Sequence, residues 1–260
     1  MSIGIALVTG SAQGIGRAIS LRLADDGFDV AVNDIPSNQP ALDSLVEEIK
    51  AKGRRSVAVP ADVTQEEQVK EMVAKVVKDL GGLDVMVANA GICHSTGLVV
   101  DTTVENWDSH FDINVKGVFF CYKHAGIQMV AQGRGGRIIG AASVAGKRGG
   151  KGLGTYSATK FAVRGLTQSL AQELGPHRIT VNTYAPGFID TPMLQKSDAA
   201  IAKKTGAEVG ASIAKYTAQT PLGCIGKPED VASLVSYIAS KEAHFITGQS
   251  VSPNGGLHLD

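Results

Sequence analysis

The sequence predicts an α/β protein in which helices cover both faces of one doubly wound parallel sheet, with residues 1–260 forming a single domain. Short apolar runs alternate with stretches of helical periodicity from one end to the other, with no low-complexity linker between them. The run at residues 83–88 is nearly all apolar, as expected of a strand buried on both faces of a parallel sheet. Glycine turns and polar clusters fall where strands end, and sheets of this kind bind ligands at the carboxyl ends of their strands.

Residues 3–8 make the first strand, which ends at Thr9-Gly10, and helical spacing follows from about Gly14 with Ile15, Ile19, Leu21 and Leu23. Residues 28–32 are the second strand, ending at Asn33-Asp34, and residues 57–59 a weaker third. Thr64 and Glu67 stand in capping-box positions and open a helix with Val69, Met72, Val73, Val76, Val77 and Leu80 at helical spacing. After the strand at 83–88, Thr102 and Glu105 start a helical region that reaches about Met129. Gly135-Gly136 precede a strand at 137–141, the next helix carries Tyr156 and continues to about Leu174, and residues 179–183 are a sixth strand. Pro228, Glu229 and Asp230 suit the first turn of a late helix whose apolar side holds Val231, Leu234, Val235 and Ile238. Residues 249–252 read as a last strand.

Composition narrows the function. Lys plus Arg number 25 and Asp plus Glu 25, so the formal net charge is zero and nothing points to nucleic acid or a membrane surface. Hydrophobic residues at 43% suffice for a sizeable core, yet no run is long enough to span a bilayer. The first residues carry no basic leader and read as strand. Cys93, Cys121 and Cys224 are far apart, which fits a reducing, cytoplasmic setting better than disulfides or zinc. No metal is expected, since the six histidines show no ligand spacing.

Three motifs carry chemistry. Gly10, Gln13, Gly14, Ile15 and Gly16 lie in a turn between the first strand and helix, where glycines let backbone approach a pyrophosphate at a helix N-terminus. Asp34 ends the second strand, where a carboxylate can accept hydrogen bonds from ribose hydroxyls and repel a 2′-phosphate. Gln13, rather than Arg or Lys, precedes Gly14, so the expected cofactor is NAD(H). Tyr156 and Lys160 are four residues apart, on one face if helical. An ammonium about 4 Å from the phenol, at an effective dielectric near 20, favours the phenolate by roughly 4 kcal/mol before desolvation opposes it. The expectation is a tyrosine tuned towards neutral pH, with Ser143 holding a carbonyl oxygen. The same spacing also occurs in any amphipathic surface pair.

The set Thr9 to Gly16, Asn89-Ala90-Gly91, Asn114, Ser143, Tyr156-x-x-x-Lys160 and Pro186-Gly187 resembles the short-chain dehydrogenase/reductase family, in order and over the whole chain. The second half is similar to the acetoin (diacetyl) reductase and 2,3-butanediol dehydrogenase group, through Lys160 to Gln168, Thr191-Pro192-Met193, Pro228 to Ala232 and Thr247 to Ser250. The resemblance implies a Rossmann-type fold, with Tyr156 as general acid or base and Lys160 lowering its pKa and holding the nicotinamide ribose. Ser143 would orient the substrate oxygen, and Asn114 would anchor a water linking Lys160 to solvent. Asp62, beside Val63, would contact the adenine edge; Asn89, Gly91, Pro186 and Gly187 would line the cofactor cleft; Ile189 and Thr191 would hold the carboxamide. A homotetramer is implied too, through the helices around 107–129 and 156–174 and through the last helix and strand.

Residues 188–216 match the family's mobile substrate lid, although a stable surface helix would have the same composition. His94 could touch substrate or simply be solvated. Aromatic content of 5% does not point to a stacking pocket for large rings. The expected substrate is therefore a small ketone, diacetyl- or acetoin-like, and its secondary alcohol; another ketone, such as a polyol, 3-ketoacyl or cyclic substrate, or a non-catalytic NAD-binding module, stands as the alternative.

Overall fold

A computed structural model describes residues 2–94 and 97–259. Seven parallel strands form one sheet: β1 (Ile5–Val8), β2 (Asp29–Val32), β3 (Ser56–Ala58), β4 (Val85–Ala88), β5 (Gly136–Ala141), β6 (Ile179–Tyr184) and β7 (Ser250–Val251). Their spatial order is β3-β2-β1-β4-β5-β6-β7. The chain thus winds outward from β1 in one direction, then restarts at β4 and winds in the other. Between β1 and β4 the flanking loops diverge and leave a crevice at the strands' carboxyl ends, as doubly wound sheets do.

Two apolar layers follow from the strands' double burial. On one face Ile19 and Leu23 of α1 (Gly14–Asp25), Leu42 and Leu45 of α2 (Gln39–Ala51) and Val231 and Val235 of α9 (Pro228–Ala239) pack on Val8, Val30 and Val87. On the other, α3 (Glu66–Leu80), α5 (Gly117–Gln132) and α6 (Gly154–Leu174) bring Val69, Met72, Cys121 and Val163 against Leu7, Met86 and Ile138. Each fully buried aliphatic side chain contributes about 1.5–3 kcal/mol relative to exposure.

The sequence-based elements hold, with local differences. The capping box at Thr64 does not form: α3 starts after Gln65 with no side-chain cap, and the Asp62 carboxylate instead accepts from the Thr64 amide at 2.9 Å. The region expected from Thr102 is capped one residue later, where Thr103 accepts from the Asn106 amide, and runs as α4 (Val104–Phe111). It passes through a π-helical stretch, Asp112–Lys116, before α5. The extra residue per turn rotates Asn114 into the interior, where it is fully buried. The expected lid is two helices, α7 (Pro192–Thr205) and α8 (Ala211–Gln219). Helix α2 was not among the expected elements, because its polar face hides a short apolar stripe.

Candidate active site

The crevice above β1 and β4 holds a groove of about 370 Å³. Gly10, Gln13, Gly14, Ile15, Gly16, Asp34, Asp62, Val63, Asn89, Gly91, Tyr156, Lys160, Pro186 and Thr191 all line it. Gly187 and Ile189 lie on the adjoining cavity beside Ser143 and Tyr156. Asn114 lines neither space but stands directly behind the groove, as its contact with Gly91 shows below.

The turn after β1 explains its glycines. Gly10 has φ +63° and Gly14 φ +56°, and a Cβ on Gly16 would collide with the Gly10 carbonyl. Asn89 braces the turn: its Nδ2 donates to the carbonyls of Thr9 (2.8 Å) and Gly10 (3.1 Å), while its Oδ1 accepts from Tyr184 Oη at 2.7 Å. No side chain caps α1, so its first N–H groups stay available to an anion in the groove. Asp34 is held by the Ala12 amide (3.1 Å), the Ile35 amide (2.9 Å) and Asn38 Nδ2 (2.9 Å). Lys160 is the one lysine or arginine lining the groove among the described residues. A glycine cradle, an uncapped helix start and a fixed strand-end carboxylate fit a dinucleotide.

At the other end α6 places Tyr156 and Lys160 one turn apart. Lys160 is 3% exposed, its Nζ donates to the Ala141 carbonyl at 2.8 Å, and it stands 5.5 Å from the Tyr156 ring centroid. Ser143 follows β5, stands beside the Tyr156 phenol and opposes its upward pKa shift, and accepts from the Ala145 amide at 3.1 Å. Gly91 separates the lysine from Asn114: a Cβ there would lie 3.1 Å from Asn114 Oδ1 and 3.5 Å from Lys160 Nζ. The Asn114 amide is occupied by both backbone groups of Ile92 (2.8 and 2.9 Å) and by Thr159 Oγ1 (3.2 Å).

The electrostatics differ from the expectation of a phenol tuned down by its lysine. Burial dominates and pushes the Tyr156 pKa well up, opposed only by the Ser143 hydrogen bond. The same burial lowers Lys160 to about 8. Taking both groups out of water outweighs their attraction at this separation. Cys93 also lies here, its thiol raised by burial to about 11, so it is neutral at physiological pH. His94 donates its amide to His110 Nε2 at 3.1 Å, and His110 Nδ1 bonds the Asn106 carbonyl at 2.8 Å; both ring nitrogens are satisfied in the neutral form.

Several residues escaped sequence reasoning. Asn38 steadies Asp34 from four positions on, a spacing visible only once the turn is known. Thr159 and Tyr184 act through Asn114 and Asn89, and nothing local announces either. Asp198, 2% exposed, accepts from the amides of Gly210 (2.6 Å) and Ser212 (3.1 Å) and ties α7 to the start of α8. Among the described residues, no helix is long and apolar enough to cross a membrane and no group of three or more His, Cys, Asp or Glu could hold a metal.

Fold and cleft together define an oxidoreductase acting on the CH–OH/C=O pair. A family model described as enoyl-(acyl carrier protein) reductase matches residues 10–258, and the chain belongs to the short-chain dehydrogenase/reductase family, whose members typically use a nicotinamide cofactor. It is 51% identical over 256 residues to a short-chain dehydrogenase/reductase of Armillaria gallica, covering 98% of this chain and 96% of that one. L-2,3-butanediol dehydrogenase of Corynebacterium glutamicum is 42% identical (97% and 98% covered). So is 3-oxoacyl-(acyl-carrier-protein) reductase of Staphylococcus aureus (98% of each chain). The solved acetoin dehydrogenase of Salmonella typhimurium superposes with TM-score 0.85 at 32% identity, covering 99% and 97%.

Proposed function

We propose that this protein is an NAD(H)-dependent carbonyl reductase and secondary-alcohol dehydrogenase, with Tyr156 as its acid–base group, and that a small ketone of the diacetyl or acetoin kind is among its substrates. The observation that carries the chemistry is the cluster of half-buried Tyr156 with buried Ser143 and Lys160 at the end of a glycine-floored groove. When bound, the dinucleotide exchanges a hydride with the substrate carbon. Ser143 and the phenol converge on the substrate oxygen. Burial keeps Tyr156 protonated through neutral pH, the state required of a proton donor in carbonyl reduction. Lys160, charged below about pH 8, stabilises negative charge developing on the phenol as the proton leaves. Asn114, held by Ile92 and Thr159, would anchor a water linking Lys160 to solvent.

Asp34 supports NAD(H) over its 2′-phosphorylated form, because a fixed carboxylate at the ribose end repels phosphate. Likeness to the butanediol and acetoin dehydrogenases supports the small ketone. The 3-oxoacyl reductase, equally identical at 42%, supports a 3-ketoacyl substrate as the second reading. A homotetramer and a cytoplasmic location complete the proposal. The test is Tyr156→Phe: nucleotide binding by fluorescence stays within a few-fold of wild type, while turnover falls by roughly 10²–10⁴. Unchanged turnover overturns the mechanism.

A further inference from the structure

A second cavity, of about 480 Å³, opens beside Ser143 and Tyr156. Ile15, Tyr156, Pro186, Thr191 and Met193 line both it and the dinucleotide groove, so these residues mark the reacting end. Leu153, Phe188, Leu194, Tyr216 and Leu257 line this cavity and not the groove. Phe188, just after β6, and Tyr216, on α8, stack with centroids 3.8 Å apart and rings 6° from parallel. Stacked on each other, they offer the cavity ring edges or one outer face, an aromatic surface where low aromatic content argues against any.

A four-carbon hydroxyketone has about six heavy atoms, and at no more than ~30 Å³ each, the share of a water molecule, it occupies at most ~180 Å³. Such a molecule, held by Ser143 and Tyr156, fills less than half of the cavity of about 480 Å³. Cavities of 300–1,000 Å³ with mostly apolar lining are those that enclose ligands of drug size. Outside the reacting end, the charged side chains of the lining are Arg148 and Lys151, both exposed. The lining also carries the polar side chains of Ser197, Gln219 and His258, but most of its surface is apolar.

Building on the catalytic reading above, we propose that the preferred substrate is a bulky apolar ketone or its secondary alcohol, with a ring system packed beside the Phe188–Tyr216 stack and Leu257, and that four-carbon ketones are turned over but are poor substrates. One methylene in an apolar pocket is worth roughly 10–200-fold in kcat/KM, so several buried ring carbons decide the preference.

The experiment compares diacetyl, the bicyclic ketone 2-decalone and the N-acetylcysteamine thioester of acetoacetate, each with NADH and with NADPH. The expected result is a kcat/KM for 2-decalone at least about tenfold above either of the others. Phe188→Ala and the cavity-filling Leu257→Trp should each bring that ratio towards one, chiefly through KM for the bicyclic ketone; the two changes act on different elements, so failure of one to fold leaves the other. Diacetyl or the thioester outperforming 2-decalone, or a ratio untouched by both variants, overturns the substrate class while leaving the hydride-transfer reading intact. No reduction of any ketone with either nucleotide overturns both.

Discussion

Lys160 shows how burial and charge compete at a single residue. Its pKa falls from the usual 10.5 to about 8, so the native state binds fewer protons than the unfolded chain between those values. Below about pH 8 both states are protonated, and burying the ammonium costs on the order of 3 kcal/mol; that cost disappears as pH rises through the window. Wild type should therefore gain stability relative to Lys160→Met between pH 7 and pH 10, read by urea unfolding at the two values. A pH-independent difference would show that the lysine does not titrate there. Asp34 makes a second residue-scale prediction. Asp34→Ala removes the charge that would repel a 2′-phosphate and frees Asn38, so the NADH-over-NADPH ratio of kcat/KM should shrink at least tenfold. A wild type that already favours NADPH would refute the ribose assignment.

At the scale of elements, the π-helical stretch and the α7–α8 pair shape the site. The stretch Asp112–Lys116 turns Asn114 inward, and the Gly117 that follows comes so close to α3's approach that a Cβ would lie 2.8 Å from Val63 Cγ2. In the α7–α8 pair, Gly206 and Gly210 take positive φ in the connection, and Asp198 joins the two helices across it. Asp198→Ala leaves two amides at the start of α8 without their acceptor, a loss typically near 1 kcal/mol per cap. The expected outcome is faster proteolysis between residues 206 and 210 and a raised KM for ketone, with nucleotide affinity unchanged. Unaltered proteolysis would mean that packing of Tyr216 on Phe188 holds α8 alone.

Across the whole molecule, apolar side chains remain exposed on the helices expected to meet in a tetramer. Trp107 on α4 is 42% exposed, Phe119 and Ile127 on α5 are 42% and 58%, and Phe161 on α6 is 43%. Near the other expected contact, Tyr237 on α9 is 45% exposed and Phe245 92%. Light scattering should give the mass of four chains, and Phe119→Glu combined with Ile127→Glu should yield smaller species. A monomeric wild type would remove the assembly proposal.

What the sequence by itself determined is whatever repeats or sits close along the chain. Strand and helix alternation gave the parallel sheet, because apolar period and β-branched content are local properties. The glycine turn, Asp34 and the Tyr156–Lys160 pair were legible because each is a short segment whose spacing is fixed by backbone geometry. The tertiary structure alone decided the rest. Asp62 accepts from the Thr64 amide ahead of α3 while no side chain caps that helix, an outcome set by loop path. The tyrosine is tuned upward by burial, with Cys93 and Ser143, both distant in sequence, also acting on it. Phe188 and Tyr216 stack although they stand 28 positions apart in the sequence. Desolvation and cavity shape are sums over distant segments, and no window of sequence contains them.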